Sequence, residues 1–254
     1  LLYFFIIGVP GSAYPTVLMD MIFETTIQNV VQRTPSVKSF QINLPQAVEF
    51  KAGQFMQVSI IAGGKEEGKY FTISSPPSET RFIEFTKRIT QSPFSQALDR
   101  MAPGDRVKIS MPMGRFTLER AGGNRIAFLS GGIGITPIIS ICRFAAHEQM
   151  DLDVVLLYGN RTQGDIPFKD ELDELTRAIP RLRVVHVLES PPEGWQGYTG
   201  YITKETVVSE IPDYRDRIFF VCGPPGMVAA LTGILEKGLA LPREQIITEN
   251  FDGY

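Results

Sequence analysis

The chain has 254 residues, of which 43% are hydrophobic and 21% are charged, and its formal net charge is −3. This composition is typical of a globular protein with room for two domains of roughly 100–150 residues each. The mildly acidic balance argues against a nucleic-acid-binding surface, which is usually basic. Two cysteines, Cys142 and Cys222, and two histidines are too few for an iron–sulfur cluster or a Cys/His zinc site, so we expect no metal. So few cysteines fit a reducing, cytoplasmic location.

The first 20 residues differ in character from the rest. Residues 1–9 are strongly apolar, and Pro10 and Gly11 then break the run. A membrane-spanning helix needs about 20 apolar residues, so this run is too short by itself. We expect residues 1–20 to be an extra segment outside the fold, with a truncated membrane or signal segment as the alternative. Membrane association is not expected for residues 21–254.

Residues 21–121 are predicted to form an antiparallel β-barrel. Short alternating apolar and polar runs lie at 23–27, 37–42, 55–60, 81–86 and 106–109. Glycine and proline separate these runs, as in antiparallel barrels. One helix is predicted at 93–101, because its apolar residues share one face.

Residues 122–254 are predicted to form a doubly wound parallel α/β sheet. Apolar strands are predicted at 126–129, 154–157, 184–188, 218–221 and 246–247. Helices are predicted between them at 137–149, 168–178, 203–210 and 226–239. Continuously apolar strands that alternate with helices indicate a parallel sheet covered on both faces.

A glycine-rich turn follows the first of these strands. The residues after Ser130 read Gly-Gly-Ile-Gly-Ile-Thr-Pro, with Thr136 in a position to cap the next helix and Pro137 in its first turn. Exposed backbone N–H groups and a helix dipole of roughly +0.5 charge suit a pyrophosphate. The turn therefore predicts dinucleotide binding, with a purely structural turn as the alternative. The residues involved are Gly131, Gly132, Gly134, Thr136 and Pro137.

Two further segments carry candidate chemistry. Cys222 to Met227 also links a strand to a helix, and two such loops at one sheet edge would form a crevice with Cys222 on its rim. The alternative for Cys222 is an ordinary buried side chain. Lys69 to Pro77 combines a cation, aromatic rings and hydroxyls, which suits a flavin but also an ordinary strand end. The helix that begins near Ser92 can hold an anion at its amino end, or Ser92 can simply cap it.

The order of these motifs resembles the ferredoxin–NADP reductase superfamily, from about residue 22 to the C-terminus. The resemblance includes cytochrome b5 reductase-type and bacterial oxygenase reductases. It implies a flavin-binding barrel at 21–121 and a nicotinamide-nucleotide domain at 122–254. It favours FAD over FMN. The segments that carry the resemblance are 52–55, 69–75, 103–105, 112–116, 131–137 and 222–227.

The resemblance implies roles for the flavin-side residues. Lys69 would bind the flavin phosphate, Phe71 would pack on the isoalloxazine ring, and the hydroxyl of Thr72 would approach flavin N5. Lysine replaces the family's usual arginine, and a lysine presents a point charge where arginine presents a bidentate fork. Looser flavin retention is therefore a hypothesis. The other flavin-side candidates are Tyr70, Ser74, Ser75, Thr86, Lys87, Ser92 (where the family has glycine), Phe94 and Ser95.

On the nucleotide side, the resemblance places the pyrophosphate on the glycine-rich turn and Cys222 beside the nicotinamide. In the C-terminal tail, Phe251 is the candidate aromatic that covers the flavin, with Tyr254 second; packing between the domains is the alternative. The remaining candidates are Asn160, Arg161, Glu189, Gly223, Pro224, Met227 and Glu249.

The nucleotide preference rests on two charged residues at strand ends. Arg161 can pair with the 2′-phosphate of NADPH. Glu189 would repel that phosphate and can accept hydrogen bonds from ribose hydroxyls. Together with similarity to NADH-dependent cytochrome b5 reductases, Glu189 favours NADH, with NADPH as the alternative.

The resemblance implies an electron-transport flavoprotein that takes hydride from NAD(P)H. Thr72 and Cys222 are the catalytic candidates, the first to orient flavin N5 and the second to shape the nicotinamide subsite. Electrons would then pass to a separate ferredoxin-like, other iron–sulfur or haem protein. The alternatives are a free flavin reductase or diaphorase, and a non-catalytic nucleotide-binding subunit.

Overall fold

The computed structural model of the chain describes residues 21–251, so the predictions for residues 1–20 and Tyr254 lie outside the described part. Six strands and one helix build the first domain. They are β1 (Met21–Thr34), β2 (Val37–Asn43), β3 (Phe55–Ala62), β4 (Lys65–Thr72), β5 (Phe82–Arg88), α1 (Pro93–Asp99) and β6 (Arg106–Met113).

The first sheet confirms the predicted antiparallel barrel. Its strand order is β4-β3-β6-β1-β2-β5, and every neighbouring pair is antiparallel. A bridge between Ile73 and Phe85 joins the two outer strands, so the sheet closes on itself. Inward side chains such as Phe40 and Phe85, whose stacked rings lie 5.1 Å apart, fill the interior.

The β3–β4 hairpin is longer than the apolar pattern predicts. Gly63 and Gly64 turn the chain with φ values of 60° and 80°. Two consecutive positive φ values match the hairpin turn that glycine favours. β4 then starts with Lys65, Glu66 and Glu67, which are charged, so hydrophobic alternation alone does not reveal its first half.

Six parallel strands and four helices build the second domain. The strands are β7 (Arg125–Gly131), β8 (Asp153–Asn160), β9 (Leu182–Leu188), β10 (Tyr198–Thr199), β11 (Ile218–Gly223) and β12 (Ile246–Asn250). The helices are α2 (Thr136–His147), α3 (Lys169–Ala178), α4 (Lys204–Glu210) and α5 (Pro225–Gly233).

The second sheet confirms the predicted doubly wound architecture. Its order is β10-β9-β8-β7-β11-β12, and all pairs are parallel. Separate apolar cores cover its two faces, one around Ile138 and Phe128 and the other around Leu231 and Phe219. The helix predicted at 226–239 ends as an α-helix at Gly233 and continues as a π-helical turn, Ile234–Gly238.

The strand order locates the place where a ligand can enter. From β7 the chain winds outward through β8 and β9, then returns to β11 on the other side of β7. At such a switch point the connections leave in opposite directions and open a crevice at the carboxyl ends of the strands. Gly131 and Gly223 lie at those two strand ends.

The two domains share part of one core. Ala52 and Phe116, which come from loops of the barrel, pack with residues of the parallel sheet, and the ring of Phe116 meets Phe220 edge-on at 5.0 Å. Gly53 has φ +94°, and a Cβ there would overlap the Phe116 carbonyl oxygen. The predicted boundary after Ala121 falls between β6 and β7 and remains a prediction. Among residues 21–251 we find no helix with the length and apolarity needed to span a membrane.

Candidate functional site

A cavity of about 390 Å³ lies where the barrel meets the parallel sheet. The barrel and the end of β12 both contribute to its wall, so the predicted flavin segment and the C-terminal tail share one space. The lining residues are Phe55, Tyr70, Phe71, Thr72, Met113, Glu249, Asn250 and Phe251.

The two aromatic residues of the flavin segment are placed differently. The side chain of Tyr70 is 57% exposed and meets Phe55 edge-on at 5.8 Å. Phe71 is only 2% exposed, because strand alternation turns it into the barrel, where it packs 4.7 Å from Phe85 and 6.0 Å from Phe94. Stacking of Phe71 on the isoalloxazine remains a prediction. Tyr70, a flavin-side candidate from the sequence, and Phe55, which the sequence analysis did not single out, add aromatic surface to the cavity.

The hydroxyl of Thr72 is the feature that shows whether the cavity suits a bound flavin. Its side chain is buried, and its Oγ1 has no hydrogen-bond partner within residues 21–251. Leaving a buried hydroxyl unpaired costs about 1–3 kcal/mol. A ligand atom that hydrogen-bonds this hydroxyl would remove the cost, so Thr72 fits a polar ring atom of the cofactor.

Two lysines flank the flavin segment. Lys69 is exposed and forms a 3.7 Å ion pair with Glu67. Lys87 is buried, and its Nζ lies 5.7 Å from the centre of the Phe71 ring. Burial, and then the charge of Lys69, lower the pKa of Lys87. The charges of the two lysines interact, and a pair of cations is complementary to a phosphate.

The hydroxyls after Thr72 are engaged in closing the barrel. Ser74 Oγ donates to Glu84 Oε1 at 3.0 Å and lies 3.0 Å from Thr86 Oγ1. Ser75 Oγ accepts from the backbone N–H of Glu84 at 2.9 Å. The structure therefore assigns Ser74, Ser75 and Thr86 a local role, and their contact with flavin remains a prediction.

At α1 the structure supports local capping. Ser92 Oγ accepts from the Ser95 N–H at 3.3 Å, and Ser95 Oγ accepts from the Thr90 N–H at 2.8 Å. Phe94 is buried in the barrel core. Binding of the flavin pyrophosphate by Ser92 and Ser95 remains a prediction.

The glycine-rich turn contains a short 3-10 helix, Gly132–Ile135, before α2. The prediction that Thr136 caps α2 is wrong: Thr136 is the first residue of α2, and its hydroxyl donates to the Ile133 carbonyl at 3.3 Å. The 3-10 helix runs directly into α2, so Ile135 takes the cap position and no side chain caps the described helix end. Pro137 lies in the first turn, as predicted.

For Cys222 the structure supports the alternative of an ordinary buried side chain, and the prediction that it lies on the rim of the crevice is wrong. The side chain is fully buried, and its Sγ donates to the Gly134 carbonyl at 2.9 Å. Burial raises the pKa of this thiol well above its usual range. A Cβ at Gly134 would lie 2.6 Å from the Cys222 carbonyl oxygen, so the two loops touch backbone to backbone. Cys222 thus lies beneath the crevice, and a role beside the nicotinamide remains a prediction.

Met227 lies between the two loops. A Cβ at Gly131 would lie 2.5 Å from Met227 Sδ, and one at Gly223 would overlap Met227 Cε. Gly223 has φ +149°, and Pro224 occupies the cap position of α5. The methionine therefore covers the sheet edge at the expected nucleotide site.

Glu249 and Phe251 reach the cavity because β12 pairs with β11. Glu249 lies opposite Cys222, and the Phe251 N–H donates to the Gly223 carbonyl at 3.0 Å. Glu249 Oε2 is buried and has no hydrogen-bond partner in the part of the chain that the structure describes. Burial raises the pKa of this carboxyl to about 8. The sequence placed Glu249 in the tail, but no local pattern indicated that the pKa of its carboxyl would be raised.

The residues expected at the nucleotide ribose lie together at the ends of β8 and β9. The Glu189 N–H donates to the Asn160 carbonyl at 3.0 Å, and the Ser190 N–H donates to the Arg161 carbonyl at 2.8 Å. The side chains of Arg161 and Glu189 are exposed. Asn160 is buried, and neither polar atom of its amide has a partner among residues 21–251. No group of three or more His, Cys, Asp or Glu residues in this range is placed to hold a metal ion.

Two family models match the chain. The oxidoreductase FAD-binding domain matches residues 24–118, and the oxidoreductase NAD-binding domain matches residues 128–232. NADH-cytochrome b5 reductase 1 of Dictyostelium discoideum is 35% identical over 187 residues, which cover 72% of this chain and 65% of that protein. The glycine betaine monooxygenase reductase subunit of Chromohalobacter salexigens is 30% identical over 215 residues, covering 82% of this chain and 58% of that protein. The chain therefore spans less than two thirds of either relative.

Solved structures share the fold. The cytochrome b5 reductase domain of Ulva prolifera nitrate reductase aligns with a TM-score of 0.80 at 21% identity, covering 90% of this chain and 97% of that one. A ferredoxin NADP+ reductase from Neisseria gonorrhoeae, with bound FAD and NADP, aligns with a TM-score of 0.76 at 24% identity, covering 90% and 98%. With both domain models matched in order and the expected barrel and parallel sheet in place, the chain belongs to the ferredoxin–NADP reductase superfamily of FAD- and NAD-binding oxidoreductases.

Proposed function

We propose that this chain is an FAD-dependent NADH oxidoreductase that passes electrons to a separate haem or iron–sulfur protein. The observation that carries the proposal is the cavity of about 390 Å³ at the domain junction, to which Thr72 of the barrel and Glu249 of the nucleotide domain both contribute. A hydride transfer between two bound rings requires such a shared space.

The flavin side offers a cation, an aromatic surface and a buried hydroxyl. Lys69 and Lys87 would bind the flavin phosphate, and Tyr70 and Phe55 would cover the ring system. Thr72 Oγ1, which has no partner within the described residues, would hydrogen-bond a ring heteroatom. Bound FAD supplies the chemistry that the side chains lack, since it accepts a hydride and releases electrons one at a time.

The nucleotide side offers backbone donors. The N–H groups of the 3-10 helix Gly132–Ile135 and the positive end of α2 would bind the pyrophosphate. The Asn160 amide, buried and unpartnered among residues 21–251, would hydrogen-bond the nucleotide. Cys222 would act by holding Gly134, and with it the turn, through its bond to the Gly134 carbonyl. Phe251 would exclude water from the cavity and move aside when nicotinamide enters.

The preference for NADH is supported by Glu189. Its exposed carboxylate follows β9 next to Arg161 and would repel a 2′-phosphate. We expect kcat/KM to be higher with NADH than with NADPH, and Glu189→Arg to move the ratio toward NADPH by at least about tenfold, or 1.4 kcal/mol. Glu193→Arg, which changes the same charge further along the loop, is the control. Equal use of both nucleotides by the wild type would contradict the preference.

The decisive experiment is an absorption spectrum of the purified protein followed by anaerobic mixing with NADH. We expect a yellow protein that NADH bleaches in a stopped-flow instrument. A colourless protein that turns over added flavin would favour a free flavin reductase. A yellow protein that neither nucleotide bleaches would favour a non-catalytic subunit.

The acceptor is proposed from its chemistry. The relatives named above include a reductase of cytochrome b5 and the reductase subunit of a monooxygenase, both of which serve a separate protein. We expect the reduced chain to transfer electrons to a small haem protein or a [2Fe–2S] protein faster than to free FMN. Stopped-flow mixing with each acceptor measures this, and faster reduction of free FMN would count against a protein acceptor.

A further inference from the structure

A cluster of charged and aromatic side chains, none of which is a predicted site residue, connects the two domains. We call it the interdomain clamp and define it as Arg33, Glu84, Arg143, Phe168 and Glu171. Arg33 and Glu84 belong to the barrel, and the other three belong to the nucleotide domain. Its two positive and two negative charges balance.

Arg143 of α2 bonds to both domains at once. Its Nη1 donates to the Ser74 carbonyl at 2.7 Å and to Glu84 Oε1 at 2.9 Å. Its Nη2 donates to Glu171 Oε2 at 2.8 Å, and its Nε donates to Glu171 Oε1. A planar guanidinium with several fixed donors can satisfy all these acceptors, whereas a lysine cannot.

Glu84 is the centre of the clamp. Its side chain is 1% exposed. It accepts from Arg143, from Ser74 Oγ, from Arg33 Nη2 at 3.0 Å and from Gln41 Nε2 at 3.2 Å. Burial opposes ionisation, but the charges of Arg143 and Arg33 outweigh it and lower the pKa of this carboxyl. Both carboxylate oxygens are therefore held in place from several directions.

Phe168 completes the clamp with a strained backbone. Its φ is +59°, a left-handed value that a bulky side chain rarely adopts. The guanidinium groups of Arg33 and Arg143 lie over the Phe168 ring, with Cζ 4.5 Å and 5.4 Å from the ring centre. A strained backbone of this kind persists only where the surrounding contacts hold the residue in place.

A second hydrogen bond joins the same two domains beside the clamp. Ser140 Oγ, one turn before Arg143 in α2, donates to the Ser75 carbonyl at 2.8 Å. The acceptors Ser74 and Ser75 lie two and three residues after Thr72, and α2 itself begins where the glycine-rich turn ends. One helix therefore connects the backbone of the flavin segment to the turn expected to bind the pyrophosphate.

We propose that Arg143 and Ser140 are positioning residues that hold α2 against the flavin segment and thereby set the distance between the nicotinamide and the flavin. This inference rests on the proposed function. Hydride transfer needs reacting atoms about 3–3.5 Å apart, and a misplacement of about 1 Å can slow a reaction roughly 100-fold. Neither residue is among those that line the cavity, so they act through the relative placement of the two domains.

Arg217 provides a matched control. It is 5% exposed, and its Nη1 donates to the Asp153 carbonyl at 2.9 Å. It forms ion pairs with Asp153 at 2.7 Å and Asp213 at 2.8 Å, all within the nucleotide domain. Arg143→Lys and Arg217→Lys therefore each disturb a largely buried arginine that is paired with two carboxylates, but only the first network spans the domains.

The first test measures domain placement without any enzymatic turnover. Spin labels on Ile61→Cys and Val208→Cys, both at exposed positions, report one distance across the domains of the purified, flavin-loaded protein. The native Cys142 and Cys222 are buried. We expect narrow distance distributions in the wild type and in Arg217→Lys, and a broadened one in Arg143→Lys. Equal widths in the two lysine variants would overturn the proposal.

The second test separates positioning from binding. In Arg143→Lys we expect the limiting rate constant for flavin reduction by NADH to fall about 10- to 100-fold, while the Kd for NADH changes less than about twofold. Arg217→Lys should stay near the wild type in both. Ser140→Ala, which removes one bond and little volume, should show the same pattern more weakly and serves if Arg143→Lys does not fold. Equal rate losses in the two lysine variants, or a change in Kd alone, would contradict the proposal.

The spin-label and bleaching experiments distinguish failure of the clamp from failure of the proposed function. If NADH does not bleach the wild-type flavin, the proposed function is wrong, yet the spin-label widths still decide whether the clamp fixes the domains. If bleaching is normal and the widths do not respond to Arg143→Lys, the function stands and the clamp proposal is lost.

Discussion

Single polar atoms define the centre of the candidate site. Thr72 Oγ1 and Glu249 Oε2 line or border the same cavity, and neither has a hydrogen-bond partner in residues 21–251. Buried polar groups in native proteins are almost always paired. Two such atoms beside one cavity therefore indicate a ligand that supplies their partners.

Replacing Thr72 by valine should have opposite effects on stability and on activity. Valine removes the buried hydroxyl while keeping the branched shape, so the flavin-depleted protein should gain about 1 kcal/mol of unfolding free energy. The rate constant of flavin reduction should fall by about tenfold, since a hydrogen bond of roughly 1.4 kcal/mol is lost. Urea unfolding and stopped-flow mixing measure the two effects. Thr72→Ser, which retains the hydroxyl, should keep the rate, and a Thr72→Val variant that reduces flavin normally would argue against this role.

Glu249 should make stability depend on pH. Its pKa is raised to about 8 by burial, from an ordinary value of 4.5, so the folded protein binds this proton more tightly than the unfolded chain. Its contribution is then fully present below about pH 4.5 and is lost as pH rises toward 8, by at most about 1.4 kcal/mol per pH unit. Glu249→Gln should become progressively more stable than the wild type across that window. Urea unfolding at several pH values tests this, and parallel profiles would refute it.

At the scale of elements, close backbone contact defines the nucleotide edge of the sheet. The 3-10 helix after β7 packs against the end of β11, where a Cβ at Gly134 would lie 2.6 Å from the Cys222 carbonyl oxygen and 2.8 Å from Gly223 Cα. Backbone atoms cannot move aside as flexible side chains do. The glycine is therefore needed for packing, as well as for the approach of a pyrophosphate.

Alanine at Gly134 should destabilise the protein, whereas alanine at Gly226 should not. Overpacking of this kind costs typically about 1–3 kcal/mol. Gly226 lies in α5, and a Cβ there would meet no atom of the described chain within 4 Å. Gly226→Ala should therefore stabilise by about 0.4–1 kcal/mol, because alanine restricts the unfolded chain. Thermal unfolding of both variants compares them, and similar shifts in Tm would contradict the packing argument.

At the scale of the whole molecule, the two domains behave as one packed unit at their junction. Phe116, from the segment after β6, lies in the core that covers the parallel sheet, and the interdomain clamp ties α2 to the flavin segment. The cavity has walls from both domains. The geometry of the site is thus a property of the junction.

Truncating Phe116 should weaken both domains. Phe116→Ala removes a buried ring and should cost about 3–5 kcal/mol, with separate thermal transitions for barrel and nucleotide domain in place of a single one. Phe40→Ala, which removes a ring buried inside the barrel alone, is the control and should lower the Tm of the single transition without splitting it. Scanning calorimetry measures both variants. A single transition in Phe116→Ala would contradict the idea that Phe116 couples the unfolding of the two domains.

By itself the sequence determined the two architectures, the order of their motifs and the glycine-rich turn, because strand alternation, helix periodicity and glycine at a strand end are local patterns. The tertiary structure alone decided that Cys222 is buried, that Thr136 does not cap α2 and that Tyr70 presents the exposed ring. It also decided that the interdomain clamp forms, because its charged residues come from four separate elements: Arg33, Glu84, Arg143 and Glu171. The physical reason is that burial and ion pairing depend on which distant segments meet, and no local spacing records that.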